Sequence, residues 1–276
     1  MTVSKVDGTQ AIARAMGLLR CVCRARAEGI GLTALTRETG MSKATVHRMM
    51  LALMAEGMVE QDEASRRYHL GVECYVLGSA ASQRHGLHHI AAPILSRVAN
   101  ECGDTAFLTV ANGSYSVCVL REDGDYPIKT HALMPGDRHP LGVGAGSLAL
   151  LAAMPDEDIE ACLESNAELI AKSYPHYSLS LLHEQVQQTR AQGYALNEGL
   201  VLPGSWGVGV PLQTHSGDIL GALSIAAPDS RMRPERQPEL VQLLKQAAVR
   251  LLAKLPGPDQ TAASTTTAPS SKKRQA

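Results

Sequence analysis

The run Met41-Ser42-Lys43-Ala44-Thr45-Val46-His47-Arg48 constrains this chain more than any other stretch, because it reads as a capped helix with one apolar and one basic side. Ser42 can accept a hydrogen bond from an otherwise orphaned N–H of the first turn. At about 100° per residue, Val46, Met49, Met50 and Leu53 fall on one side of that helix, and Ala44, Thr45, His47 and Arg48 face away or flank it. The outward set matches what a helix in a DNA major groove uses: a guanidinium for guanine or phosphate, a hydroxyl for either, and a small methyl group against thymine. Lys43 and Arg48 stand near the positive end of the helix dipole, which disfavours cations unless an anion faces them. A phosphate backbone supplies that anion.

The flanking sequence has helix-turn-helix order. Ile12, Ala15, Leu19 and Val22 recur at helical spacing and predict an apolar stripe on a helix that begins near Thr9. A second short helix is expected over residues 32–39 with Thr33 as its cap, and Gly40 breaks the chain before Ser42. Gly57 then ends the third helix, Met58-Val59-Glu60 reads as a strand, and the polar run 62–67 turns the chain into Tyr68-His69-Leu70. These features predict a two-stranded wing with Arg66 and Arg67 near its return. The expected DNA-contacting set is Thr33, Ser42, Lys43, Ala44, Thr45, His47, Arg48, Arg66 and Arg67. The plainer alternative is a three-helix subdomain with a solvated basic face.

Charge is distributed to match. Residues 1–70 hold ten Lys/Arg against seven Asp/Glu, residues 71–255 thirteen against nineteen, and residues 256–276 three against one, so a net charge of −1 conceals a basic head and an acidic body. Only the first quarter is suited to attract a polyanion. The length of 276 residues allows two domains. The N-terminus lacks an apolar leader segment, and no run approaches the roughly 20 apolar residues of a membrane span, so a cytoplasmic location without membrane association is expected. The six cysteines lack C-x-x-C spacing and lie in apolar surroundings, which predicts buried free thiols and neither a metal site nor disulfides.

The motif from Ser42 to Arg48, followed by Leu53, Glu56-Gly57 and Tyr68-His69-Leu70-Gly71, resembles the winged helix of the IclR (isocitrate lyase regulator) family of bacterial transcription factors. The resemblance continues through Gly136 to Pro140, Gly193-Tyr194, Gly207-Val208 and Gly221-Ala222-Leu223-Ser224, and so covers nearly residues 9–255. It implies a homodimeric or homotetrameric regulator of a DNA operator, whose C-terminal domain binds a small metabolite in a GAF/PAS-like fold. No cofactor is implied beyond that effector.

The rest of the chain fits an α+β body. A connecting helix is expected over residues 72–87, a further helix over 89–102, and strands over 105–110 and 115–120 joined at Asn112-Gly113. Helices are expected over 147–154, 156–164 and 179–192, the last stopped by Gly193, then strands over 206–212 and 219–226 and a closing helix over 234–254. Mixed helices and hairpins predict an antiparallel sheet. The layout is thus a winged helix-turn-helix over 1–70, a linker helix over 71–87, an effector and oligomerisation domain over 88–255, and a Thr/Ser/Ala-rich tail over 256–276 expected to be disordered.

Leu141-Gly142-Val143-Gly144-Ala145-Gly146-Ser147 is the segment best suited to chemistry in that body. Its glycines permit close backbone approach, and it runs into a helix start whose unpaired N–H groups suit a carboxylate. A larger side chain at Gly146 is therefore expected to block the ligand alone. Glycines that serve only tight packing are the plain alternative. The family resemblance places the effector against Gly144, Ala145, Gly146 and Ser147 of this loop and against Asn197, Ser205, Gly207 and Ser224 of the later sheet. Two departures stand out: Ser147-Leu148 replaces a lysine common in the family, and residues 200–205, with Pro203-Gly204, replace a more polar run. An enzyme using Cys118 as nucleophile, with His131 or His139 as base and Trp206 as a wall, is the competing reading, but no spacing brings a base to that thiol.

Overall fold

A computed structural model describes residues 9–84, 87–129 and 133–255. The chain opens with α1 (Gln10–Ala25), a short 3-10 turn over Arg26–Glu28, α2 (Leu32–Thr39) and α3 (Lys43–Ala55), followed by the antiparallel pair β1 (Val59–Gln61) and β2 (Tyr68–Leu70). Ile30 adds a one-residue bridge to Tyr68. Leu18, Leu19 and Val22 of α1, Leu35 of α2 and Val46, Met50 and Leu53 of α3 close around Val59 and Tyr68 as the core of this head. Each fully buried aliphatic side chain there contributes about 1.5–3 kcal/mol.

Two expectations about the head change. The buried stripe of α1 starts at Leu18, because Ile12 lies on the part of the helix that projects beyond the core and is 65% exposed. Thr33 is the second residue of α2, exposed, and Gly31 occupies the cap position without a side-chain hydrogen bond. Ser42, by contrast, caps α3 as expected, its Oγ accepting from Thr45 N–H at 3.2 Å. Arg26 adopts φ 52° and ψ −138° after α1, a conformation that costs a non-glycine residue about 1–3 kcal/mol.

The connecting helix is α4 (Val72–Arg84), and α5 (Leu87–Cys102) follows. The C-terminal domain then builds β3 (Thr105–Asn112), β4 (Tyr115–Asp123), β5 (Arg138–Pro140), α6 (Ala145–Ala152), α7 (Asp156–Ser173), α8 (Leu179–Gln192), β6 (Ala195–Leu202), β7 (Ser205–Gln213), β8 (Ile219–Pro228) and α9 (Gln237–Leu252). The six strands pair antiparallel in the order β5-β4-β3-β8-β7-β6. Strand alternation divides the sheet between two helical layers. Ala106, Leu108, Val208, Val210, Leu223 and Ile225 pack against α5 and α9. On the other side, Ala195 and Ala222 join the core formed by α6, α7 and α8. The tail over 256–276, with its expected disorder, lies outside the described residues.

Several boundaries move for physical reasons. Asn112 still pairs with Tyr115, so the hairpin turns at Gly113-Ser114. Helix α6 begins two residues earlier than expected, and α7 runs on to Ser173, because Asn166 is buried on it and donates to the carbonyl of Ser114 at 2.7 Å. β5 and β6 are strands the sequence pattern did not announce. The first is three residues long and ends on Pro140 at a sheet edge; the second carries a register shift between Glu198 and Leu202.

Candidate functional site

The outer face of α3 is arranged for contact. Lys43, Ala44, His47 and Arg48 are exposed and Thr45 is half-buried, while Val46 and Met50 anchor the helix from below. Lys43, Arg48 and Arg66 form no ion pair among the described residues, so their charges are not neutralised locally. In the wing, Asp62 Oδ1 accepts from the Ser65 N–H at 2.7 Å, closing the turn that presents Arg66 at φ 58°. Arg67 is engaged differently: its Nη1 donates to the carbonyls of Glu28 and Gly29, both at 3.1 Å. That guanidinium fastens the root of the wing to the turn after α1. Thr33 lies on the exposed side of α2.

In the C-terminal domain the register of the sheet assembles a cavity wall. Asn197 pairs with Gly207 and Gly207 with Ala226, while one row along Ala195 pairs with Gly209, Gly209 with Ser224 and Ser224 with Phe107. The N-terminal turn of α6 lies directly over these rows. A Cβ on Gly209 would stand 2.7 Å from the carbonyl oxygen of Ala145, so only glycine lets the helix start come this close. The space left is a cavity of about 50 Å³ lined by Leu133, His139, Gly144, Ala145, Gly146, Asn197, Val201, Ser205, Gly207 and Ser224, with Phe107 among its apolar members. Trp206 borders it and also packs against the core of α5 and α9.

Of the eight expected effector residues, seven line this cavity and Ser147 does not. Its Oγ accepts from Gly142 N–H and donates to the Pro140 carbonyl, each at 3.1 Å, so it fixes the loop from behind. The N–H of Gly144 is also taken, donating to Tyr177 Oη at 3.0 Å. Asn197 Nδ2 donates to the same oxygen at 2.6 Å, and Tyr177 thereby ties the loop to β6. Burial pushes the Tyr177 hydroxyl up to about 12, so it stays protonated. The N–H groups of Ala145 and Gly146 belong to the first turn of α6, which has no intrahelical acceptors.

His139 and Phe107 in the lining, and Tyr177 behind it, are among the residues of the site that were not expected there from the sequence. His139 lines the cavity from β5, its Nδ1 is 3.3 Å from the Tyr174 hydroxyl, and burial lowers its pKa despite the opposing charge of Asp137. Phe107, the chain's single phenylalanine, follows from the alternation of residues 105–110, which puts it on the face opposite Ala106 and Leu108. Cys118 is buried outside the cavity lining, and burial above all, with Asp137 adding to it, pushes its thiol up to about 12. A thiol held protonated in this way is not a nucleophile. His131, its other suggested partner, lies outside the described residues. Cys23 departs from the expectation of buried thiols by being exposed.

A winged helix-turn-helix head joined by a helix to an α+β domain with a largely apolar cavity that carries a few hydrogen-bonding groups defines a DNA-binding regulator with an effector domain. Residues 11–63 match the IclR helix-turn-helix domain, and residues 79–252 match the bacterial transcriptional regulator IclR C-terminal domain. The chain belongs to the IclR family. It is 29% identical over 247 residues to the HTH-type transcriptional regulator BhcR of Paracoccus denitrificans, covering 88% of this chain and 86% of that one. The IclR transcriptional regulator of Alicyclobacillus acidocaldarius superposes with a TM-score of 0.73 at 25% identity, covering 88% of this chain and 97% of that chain. An IclR homolog of Microbacterium hydrocarbonoxydans complexed with 4-hydroxybenzoate shares the fold with a TM-score of 0.70 at 20% identity, covering 88% of this chain and 98% of that chain. No helix among the described residues is long and apolar enough to cross a membrane.

Proposed function

We propose that the cavity takes a small carboxylic acid and that this effector changes how a homo-oligomer of the chain occupies a near-palindromic operator. The carrying observation is the chemistry of the wall: among the described lining residues no side chain carries a fixed charge, and the polar members His139, Asn197, Ser205 and Ser224 are neutral hydrogen-bonding groups beside the start of α6. Hydroxyl and amide donors next to a helix N-terminus stabilise an anion. A water needs roughly 10–15 Å³, so the cavity of about 50 Å³ accommodates an acid of a few non-hydrogen atoms as it stands. A benzoate-sized acid, such as the one in the Microbacterium hydrocarbonoxydans homolog, needs Leu133 and Val201 to give way.

On the DNA side, α3 enters the major groove with Lys43, Ala44, Thr45, His47 and Arg48 toward the bases and phosphates, and Ser42 and Thr33 near the backbone. Arg66 approaches phosphate from the wing. Arg67 acts by holding the wing in place, the role its two carbonyl contacts support. An apolar surface on α1 and α4, with Ile12, Met16, Val72, Tyr75, Val76 and Leu77 exposed, supports pairing of two heads. Such a regulator works in the cytoplasm, where its DNA is. Calorimetry with acid and amide pairs tests the effector class. The acid should bind at least tenfold more tightly than its amide, and Asn197→Leu should remove that preference; equal affinities would move the anion site elsewhere.

A further inference from the structure

We infer that the strap of residues 133–140 transmits the state of the cavity to the DNA-binding head through the ion pair between Asp137 and Arg26. The inference rests on the cavity being the effector site. Both ends of the strap line that cavity, through Leu133 and His139. Between them, Asp137 Oδ2 accepts from Arg26 Nη2 of the head at 3.0 Å and from the Met134 N–H of the strap at 2.8 Å. One carboxylate oxygen therefore shapes the strap and holds the head. Gly136 brings the strap close to α1 at the same place, since a Cβ placed on it would be 3.5 Å from Cys23 Sγ.

The strap is bound together as a piece. It is fixed to β4 by Cys118 N–H donating to the Asp137 carbonyl at 3.0 Å, by Gly136 N–H donating to the Cys118 carbonyl at 2.8 Å, and by Arg121 Nη1 donating to the Leu133 carbonyl at 3.3 Å. A ligand that repositions His139 or Leu133 consequently repositions Asp137. On the head, the backbone of Arg26 is held at φ 52° between its own N–H, donating to the Cys23 carbonyl, and its carbonyl, accepting from Gly29 N–H at 3.2 Å. The neighbouring carbonyls of Glu28 and Gly29 receive Arg67 from the wing. The chain of contacts therefore runs from cavity to strap, from strap to the turn after α1, and from that turn to the wing.

The pair is also suited to being broken. Its side chains are 41% and 28% exposed, and ion pairs of that exposure are weak enough to be made or lost with a change of state. An effector shifts the head only to the degree that it favours the strap position with the pair over the one without it.

Hydrogen exchange on the full chain tests this without a ligand. Asp137→Asn and Arg26→Gln should each raise exchange of the amides of residues 26–30 about threefold, the scale of a half-exposed ion pair, with Arg26→Lys staying at the wild-type rate. His139→Ala, a change at the cavity end, should raise the same amides, and adding it to Asp137→Asn should raise them no further. An unchanged head in His139→Ala, or additive effects in the double variant, overturns the inference. A global rise that includes β3 and β8 would mark misfolding, and Arg26→Gln on the head surface then decides the matter. Acetate and 4-hydroxybenzoate form a separate arm: failure of either to protect residues 143–146 in the wild type counts against the carboxylate effector, while the ligand-independent variants still decide whether the strap couples to the head.

Discussion

Arg48, Arg66 and Arg67 carry the same guanidinium in three different settings. Arg48 projects from the exposed face of α3, Arg66 from the turn of the wing, and Arg67 is hydrogen-bonded to two carbonyls of its own domain. If Arg48 reads a base, Arg48→Ala should cost about 1–3 kcal/mol on the specific duplex and relax preference at one position, whereas Arg66→Ala should weaken specific and scrambled duplexes alike. Arg67→Ala should act through folding, lowering the stability of the head by about 1 kcal/mol in denaturant titrations. Gel-shift titrations on both duplexes separate the first two; equal losses for Arg48→Ala would reduce it to a phosphate contact. Ser42 was legible because a cap followed by a helical apolar set is a local signal. The engagement of Arg67 was not, since its partners lie 38 and 39 residues away. Ser147 misled for a related reason: a serine at a glycine-loop helix start can face the ligand or the loop, and here its hydroxyl closes on Gly142 and Pro140.

At the level of elements, the site depends on how closely α6 approaches β7. All eight residues of α6 are buried, and its first turn lies over Gly207 and Gly209. Gly209→Ala sets a Cβ against backbone and should destabilise the domain by about 1–3 kcal/mol in chemical denaturation. Gly146→Ala should be milder, because its Cβ would meet the Ser224 and Thr109 hydroxyls at 3.0 and 3.2 Å, and a hydroxyl-bearing side chain can turn aside. The reverse order of stabilities would mean that α6 does not sit on a glycine track. The same geometry corrects the expectation that a larger side chain at Gly146 would block ligand alone, since it would first press on the sheet. Long periodic elements, such as α8 ending at Gly193 in the left-handed region, were legible from the sequence. β5 and β6 were not, because edge strands this short or interrupted lack the alternation that marks a strand, and they hold His139 and Asn197.

Across the whole molecule, a DNA-binding head, a cavity and exposed apolar side chains belong to one system. Exposed apolar side chains on α4 include Val72 at 71% and Tyr75 at 76% exposure, which is costly to leave in water. If this surface pairs two copies, as proposed, replacing both with Asp should give a smaller species in sedimentation velocity while leaving the cavity domain folded. An unchanged sedimentation coefficient would place the interface elsewhere. The two domains were legible as units because their charge balances differ in sign and their periodicities differ in kind. Their contact through Arg26 and Asp137, separated by 111 residues, was not legible, because no local pattern announces a single ion pair across domains. The most direct measurement of the central claim is operator affinity on a duplex selected from genomic DNA by the protein itself, titrated with a panel of small carboxylic acids. One of them should shift the affinity about 5- to 150-fold, and Asn197→Leu should bind the same duplex without responding. Site-specific binding that no acid alters, or a response that Asn197→Leu retains in full, would contradict that claim.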